Sequence, residues 1–184
     1  RIVKALLTAV TVGFLEEIFF RGMIFKGLLE DTKPPIAFVA ASVFYSAIHF
    51  VKPAEKIYLE GLHPWAGIHN LGQSFHQFFD PATIFTGFMG LFLIGIVVSY
   101  AFYRTRSLYL SMGLHGGWVF GIKSVKVFGH YSKKELGWLF GGSSPRFVTG
   151  VATWIGVLAV AAVVYWMTRN RTTLSSDPPP PKAA

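Results

Sequence analysis

ATIFTGFMGLFLIGIVVSYAFY, residues Ala82–Tyr103, is a run of 22 residues without a charge, and FVTGVATWIGVLAVAAVVYWMT, residues Phe147–Thr168, is a second of equal length. As helix each reaches about 33 Å, which matches the roughly 30 Å hydrocarbon core of a bilayer. Period-2 alternation is missing, and an open sheet in lipid would leave its edge N–H and C=O groups unpaired, so helices are the reading. The fold class is therefore all-α, a polytopic bundle of transmembrane helices. Composition agrees: 14% of the 184 residues are charged, 52% are hydrophobic and the mean hydropathy is +0.47, whereas an ordinary soluble domain carries roughly 25% charged residues.

Working outward, three further apolar stretches flank these runs: Ile2 to Leu29, interrupted by Glu16, Glu17 and Arg21; Ile36 to Val51; and Ser107 to about Val127. About five membrane helices are expected. Pro34-Pro35 closes the first connector and opens the second helix, where a proline sacrifices no hydrogen bond, so the first two helices are antiparallel neighbours. Residues 52–81, with Pro53, Pro64, His63, His69, His76 and Asp80, and the connector ending Gly141-Gly142-Ser143-Ser144-Pro145 read as loops or interfacial segments. Residues 1–170 form one membrane-embedded domain in this reading. The tail 171–184, with Ser175-Ser176-Asp177 before four prolines, is expected to be disordered. The first residue is Arg1 rather than Met and no leader pattern precedes the first helix, so a fragment lacking its N-terminal part is the expectation.

The chain has no cysteine, which excludes a disulfide scaffold, a zinc finger and a cysteine protease. Its 17 Lys and Arg against 9 Asp and Glu give a net charge of +8. Because these cations fall mostly at the ends of apolar runs, lipid headgroups rather than nucleic acid are the expected counter-charge. If the segment with Arg169 and Arg171 is cytoplasmic, the Arg104/Arg106 turn and the Lys26/Lys33 connector share its side. Lys52, Lys56, Lys133, Lys134 and Arg146 would then lie opposite, so the charge count leaves orientation open.

An ionisable side chain within a span costs at least about 2.5–3.5 kcal/mol on insertion scales, which makes it a candidate for function. Three places qualify. In Glu16-Glu17-Ile18-Phe19-Phe20-Arg21, Glu17 and Arg21 are i,i+4 neighbours that can pair, while Glu16 projects about 100° away. His49 closes Phe44-Tyr45-Ser46-Ala47-Ile48-His49 near the end of the second helix. His115 follows Ser111-Met112-Gly113-Leu114, where Gly113, Gly117 and Gly121 form a small-residue face expected to receive another helix, with His115 pointing away from it. Such a cluster can conduct ions, bind a ligand or activate water. A buried carboxylate can serve as general base and a His can share that role or stabilise an oxyanion. Glu plus two His would equally suit a catalytic zinc, and the residues leave this choice open.

Glu16-Glu17-x-x-x-Arg21, the aromatic-x-x-x-His of Tyr45 to His49, and His115 after a Ser- and Leu-rich entry, in this order on successive apolar helices, resemble the CPBP family of intramembrane proteases. That family comprises type II, Rce1-like CAAX prenyl endopeptidases and bacterial proteins linked to bacteriocin processing and self-immunity. The resemblance covers roughly residues 5–125. It implies a multi-pass endopeptidase of a bacterial or archaeal plasma membrane, acting on a CAAX-type or other lipid-anchored or transmembrane substrate. By this likeness Glu16 is the general base acting on water with His49 as partner, Glu17 and Arg21 hold the site together or contact substrate, and His115 stabilises the oxyanion. The family is described both as metal-dependent and as metal-free; a divalent metal such as zinc would draw on Glu16, His49 and His115. Two departures stand out. Tyr45 replaces the usual Phe, and Val119 stands where the third motif has Asn or Asp. Val119 cannot donate a hydrogen bond, so the oxyanion site either draws on another donor beside His115, such as Trp118 Nε1–H, or is weakened. The alternatives are a non-enzymatic immunity or assembly factor of the same fold and a proton-coupled carrier, the latter without the internal repeats that carriers commonly have.

Overall fold

The computed structural model describes residues 1–51, 64–79, 81–128 and 150–170. The expectations for the connector before Pro145, for the tail 171–184 and for residues 52–63 and 80 of the first connector lie outside the described residues. Every element among those described is helical: α1 (Ile2–Glu17), a π-helical segment (Ile18–Phe25), α2 (Lys26–Asp31), α3 (Pro34–Ile48), α4 (Ala66–Gln73), a 3₁₀ turn (His76–Phe79), α5 (Pro81–Thr105), α6 (Leu108–Phe128) and α7 (Val151–Thr168). Over their described residues the five apolar stretches are mainly helix, the second ending at Ile48 rather than Val51. Among the described residues two helices, Phe85–Thr105 within α5 and Val151–Thr168, are long and apolar enough to cross a membrane. The polar stretch after Pro64 is more ordered than a loop: its few apolar residues, Ile68 and Leu71, fall on one side of the short helix α4, where both are exposed.

Local chemistry sets the helix ends. Thr32 leaves the helix in an extended conformation, with its N–H and its Oγ1 hydroxyl both donating to Leu28 O at 2.9 and 2.6 Å, and Pro34 then starts α3. Two residues join α5 to α6. Arg106 takes φ 56°, the left-handed conformation usual for glycine after a helix, and its N–H donates to Phe102 O at 2.8 Å. So short a connector makes α5 and α6 antiparallel neighbours.

Contacts divide the chain into two compact units. Of the described residues, 1–41, 96–128 and 160–170 belong to the first and the remainder to the second. In the first unit α1 packs along α6. The residues α1 buries recur every fourth position, Ala5, Ala9, Gly13 and Glu17, and small side chains let the backbones meet. A Cβ added to Gly13 would stand 3.0 Å from Gly116 N and from Met112 O, and one added to Gly116 would stand 3.1 Å from Ala9 O. This corrects the expected contact face of α6. Gly113, Gly117 and Gly121 have no described atom within 4 Å of an added Cβ, and α1 is met by the face carrying Met112 and Gly116.

The first unit also holds an aromatic cluster. Phe25, fully buried, packs with Ala37, Ala41 and Phe102, flanked by Phe38 and Tyr103. Ring centroids lie 4.9 Å apart for Phe25 and Phe38 and 6.1 Å for Phe25 and Phe102. Here too Arg104 reaches the end of α7, its Nη2 donating to Thr168 O at 2.8 Å and to Arg169 O at 2.6 Å. In the second unit α3 and α5 approach at Ser42 and Gly95, where an added Cβ would stand 3.0 Å from Ser42 Cβ.

Candidate active site

The first unit assembles four of the five polar helix residues singled out in the sequence. Glu17, Arg21 and His115 are 0%, 1% and 4% exposed. Glu17 is the hub: its Oε1 accepts from Arg21 Nη1 at 2.9 Å and from His115 Nδ1 at 2.7 Å. A carboxylate only accepts, so the imidazole proton of this contact sits on Nδ1 and Nε2 faces the other way. There His115 Nε2 lies 3.6 Å from Glu16 Oε2. Each ring nitrogen of His115 thus looks at one of two consecutive glutamates.

Backbone geometry explains how neighbours in sequence reach opposite edges of one ring. Glu16 and Glu17 are about 100° apart around α1, enough to straddle an imidazole presented by α6. Beyond Glu17 the chain becomes π-helical. In an α-helix a four-residue step overshoots a full turn by about 40°, so a stripe repeating every fourth residue drifts round the axis. The wider π turn removes the overshoot, and Arg21 and Phe25 remain buried in step with Glu17.

The two glutamates differ in access. Glu17 is sealed, while the Glu16 side chain keeps 29% of its surface exposed. A carboxylate that already receives a guanidinium and an imidazole is committed to structure; its accessible neighbour is the one that can meet water.

His49 belongs to the second unit, just beyond the end of α3. Its Nδ1 lies 2.7 Å from Tyr45 O, a carbonyl that can only accept, so Nδ1 donates in this contact. Tyr45, a buried residue, lays its ring against the imidazole with centroids 4.5 Å apart. Tyr45 therefore orients His49 through both its carbonyl and its ring.

With this geometry in place, one comparison bears on identity. Residues 1–121, from α1 into α6, match the family model of the type II CAAX prenyl endopeptidases, Rce1-like. The chain belongs to the Rce1-like family. A search of curated proteins and a search of solved structures each found no match. Rce1-like proteins are proteases integral to membranes, so the chain belongs with the membrane hydrolases.

The remaining positions of this Rce1-like chain are quickly placed. Trp118 and Val119 follow His115 on α6 and are both half-buried. Val119, one turn beyond His115, brings only methyl groups to its position. Among the described residues, no three His, Asp or Glu side chains are grouped as a metal ion would require. His115 Nδ1 is held by Glu17 Oε1 at 2.7 Å, and Nε2 is left facing Glu16.

Sequence reasoning missed the residues that bring α1 and α6 together. Ala5-x-x-x-Ala9-x-x-x-Gly13 is as regular a small-residue stripe as Gly113-x-x-x-Gly117-x-x-x-Gly121, and it leads straight into Glu17. That continuity was the available signal.

Proposed function

We propose that this chain is an intramembrane endopeptidase that hydrolyses a peptide bond of a membrane-associated substrate, CAAX-type or otherwise lipid-anchored or transmembrane, with Glu16 activating water. The observation that carries the reading is the asymmetry of adjacent glutamates, one sealed against Arg21 and His115 and the other open beside the same imidazole. In the proposed sequence, Glu16 takes a proton from water as the oxygen attacks the scissile carbonyl. His115, held by Glu17 at Nδ1, acts in this step as the imidazolium and donates its Nε2–H toward the developing oxyanion. Proton return to the leaving amine completes hydrolysis. Glu17 and Arg21 keep the imidazole in one orientation. His49 is kept as partner of Glu16 on the motif resemblance alone. The multi-pass arrangement of about five spans and a bacterial or archaeal plasma membrane belong to the same proposal.

The reading assigns no step to a metal. Activity should persist after exhaustive treatment with a chelator, and loss restored specifically by zinc would overturn this part of it.

The test uses the full chain in lipid nanodiscs with two substrates, a prenylated CAAX peptide and a membrane-anchored peptide without a prenyl group. Glu16→Gln is expected to lower turnover by at least about 100-fold, with the helical signal and melting transition retained. His49→Ala is expected to behave similarly. Full turnover in Glu16→Gln would sink the proposal. Val119 favours one alternative, a non-catalytic immunity or assembly factor of the same fold. In that case a cellular phenotype would survive Glu16→Gln.

A further inference from the structure

Gly13 lies one helical turn before Glu17, and Gly116 directly follows His115. The two glycines meet each other: the Cβ that Gly13 lacks would fall 3.0 Å from Gly116 N and 3.1 Å from Gly116 Cα, with Met112 O also at 3.0 Å. All three obstacles are backbone atoms. A flexible side chain can swing aside, but a helix backbone yields only by moving the whole helix. Ordinary van der Waals contact for a Cβ begins near 3.4 Å. A single methyl at Gly13 therefore pushes α1 and α6 apart by a few tenths of an ångström. The Glu17–His115 contact spans this same seam and is 2.7 Å long. Charge-assisted hydrogen bonds of this kind occupy a narrow window, about 2.7–2.9 Å, so the same displacement carries the contact out of that window and weakens it.

We infer that Gly13 and Gly116 are positioning residues that set the α1–α6 separation, and through it the orientation in which Glu17 presents His115 to Glu16. This rests on the proposed reaction for its kinetic consequence, but the spacing itself can be measured without it. Catalytic groups are held to within about 0.5 Å of their working geometry, and misplacement by about 1 Å can cost on the order of 100-fold in rate. The effect is graded. Gly116 meets one carbonyl oxygen, Ala9 O, at 3.1 Å, so its substitution displaces less than that of Gly13.

The experiment compares Gly13→Ala and Gly116→Ala with Gly113→Ala and Gly117→Ala, which add the same methyl to the open face of α6. Two readouts are taken on the full chain in nanodiscs: kcat and KM for a peptide the parent cleaves, and the ring-nitrogen NMR signals of His115 after imidazole ¹⁵N labelling. Gly13→Ala is expected to lower kcat by about 3- to 10-fold with KM within a factor of about two, Gly116→Ala by less. The Nδ1 signal should move toward its position in Glu17→Gln. The two open-face variants should stay within a factor of about two of the parent on both counts. An unmoved Nδ1 signal in a folded Gly13→Ala protein overturns the inference. So does failure of both seam variants to fold, which would make the glycines packing residues only. If the parent shows no hydrolysis, the proposed function falls, and the ring signal alone decides the spacing.

Discussion

The seam between α1 and α6 and the aromatic cluster around Phe25 lie in one compact unit but are built on opposite plans. Along the seam, side chains shrink to Ala and Gly until backbones touch, and the first large groups after Gly13 are Glu17 and, across the seam, His115. Around Phe25, large rings fill the space between helices with centroids about 5–6 Å apart. Rings tolerate small shifts because dispersion is spread over many weak contacts. Backbone contact ending in a 2.7 Å hydrogen bond does not. The difference teaches that one region supplies volume and cohesion, and the other supplies distance.

The sharpest way to break this comparison is at the hub. Glu17→Ala leaves Arg21 and His115 buried without their carboxylate and should lower stability by about 3–5 kcal/mol, the cost typical of breaking a buried ion pair. Turnover should fall with it, and denaturation in detergent alongside a peptide assay measures both. Next in size, Phe25→Ala empties a fully buried ring site and should cost a similar 3–5 kcal/mol or somewhat less. Here the two regions part company, because kcat of the folded fraction should remain near that of the parent. A matching fall in kcat would show that the aromatic cluster also sets the site. Phe102→Leu should be the mildest change, below about 1.5 kcal/mol, with turnover unaltered. One methyl at Gly13 would then harm the reaction more than the loss of an entire ring elsewhere.

Much of this was legible in the sequence because charge is so scarce in it. Two long uncharged runs disclosed helices, Pro34-Pro35 marked where one ends and the next begins, and Glu17 with Arg21 announced their pairing by spacing alone. The approach of Glu17 to His115 was not legible, since 98 residues separate them and periodicity carries no information on which helix lies beside which. The contact face of α6 was misread for a related reason. The regular glycine stripe is on one face of that helix, whereas the face that meets α1 offers a single glycine, Gly116, beside Met112. The π-helical segment was hidden too, because nothing in Ile18–Phe25 departs from ordinary helix-forming composition. α4 is short enough that its two exposed apolar residues resemble a loop.

One contact made far from the site has a bearing on topography. Arg104, at the end of α5, holds the last carbonyls of α7, so the C-terminal ends of the two helices able to cross a membrane lie side by side. If both cross, both cross in the same sense, and by parity the chain between them traverses the bilayer an odd number of times. α6 leaves α5 through a two-residue reversal, and its 21 residues extend about 32 Å as helix. In the proposed multi-pass arrangement it would be the return crossing. His115, in the eighth position of that helix, would then sit about 10 Å below the membrane face on which Arg104 lies. A substrate bond would have to descend from the headgroups by about two helical turns to be cut.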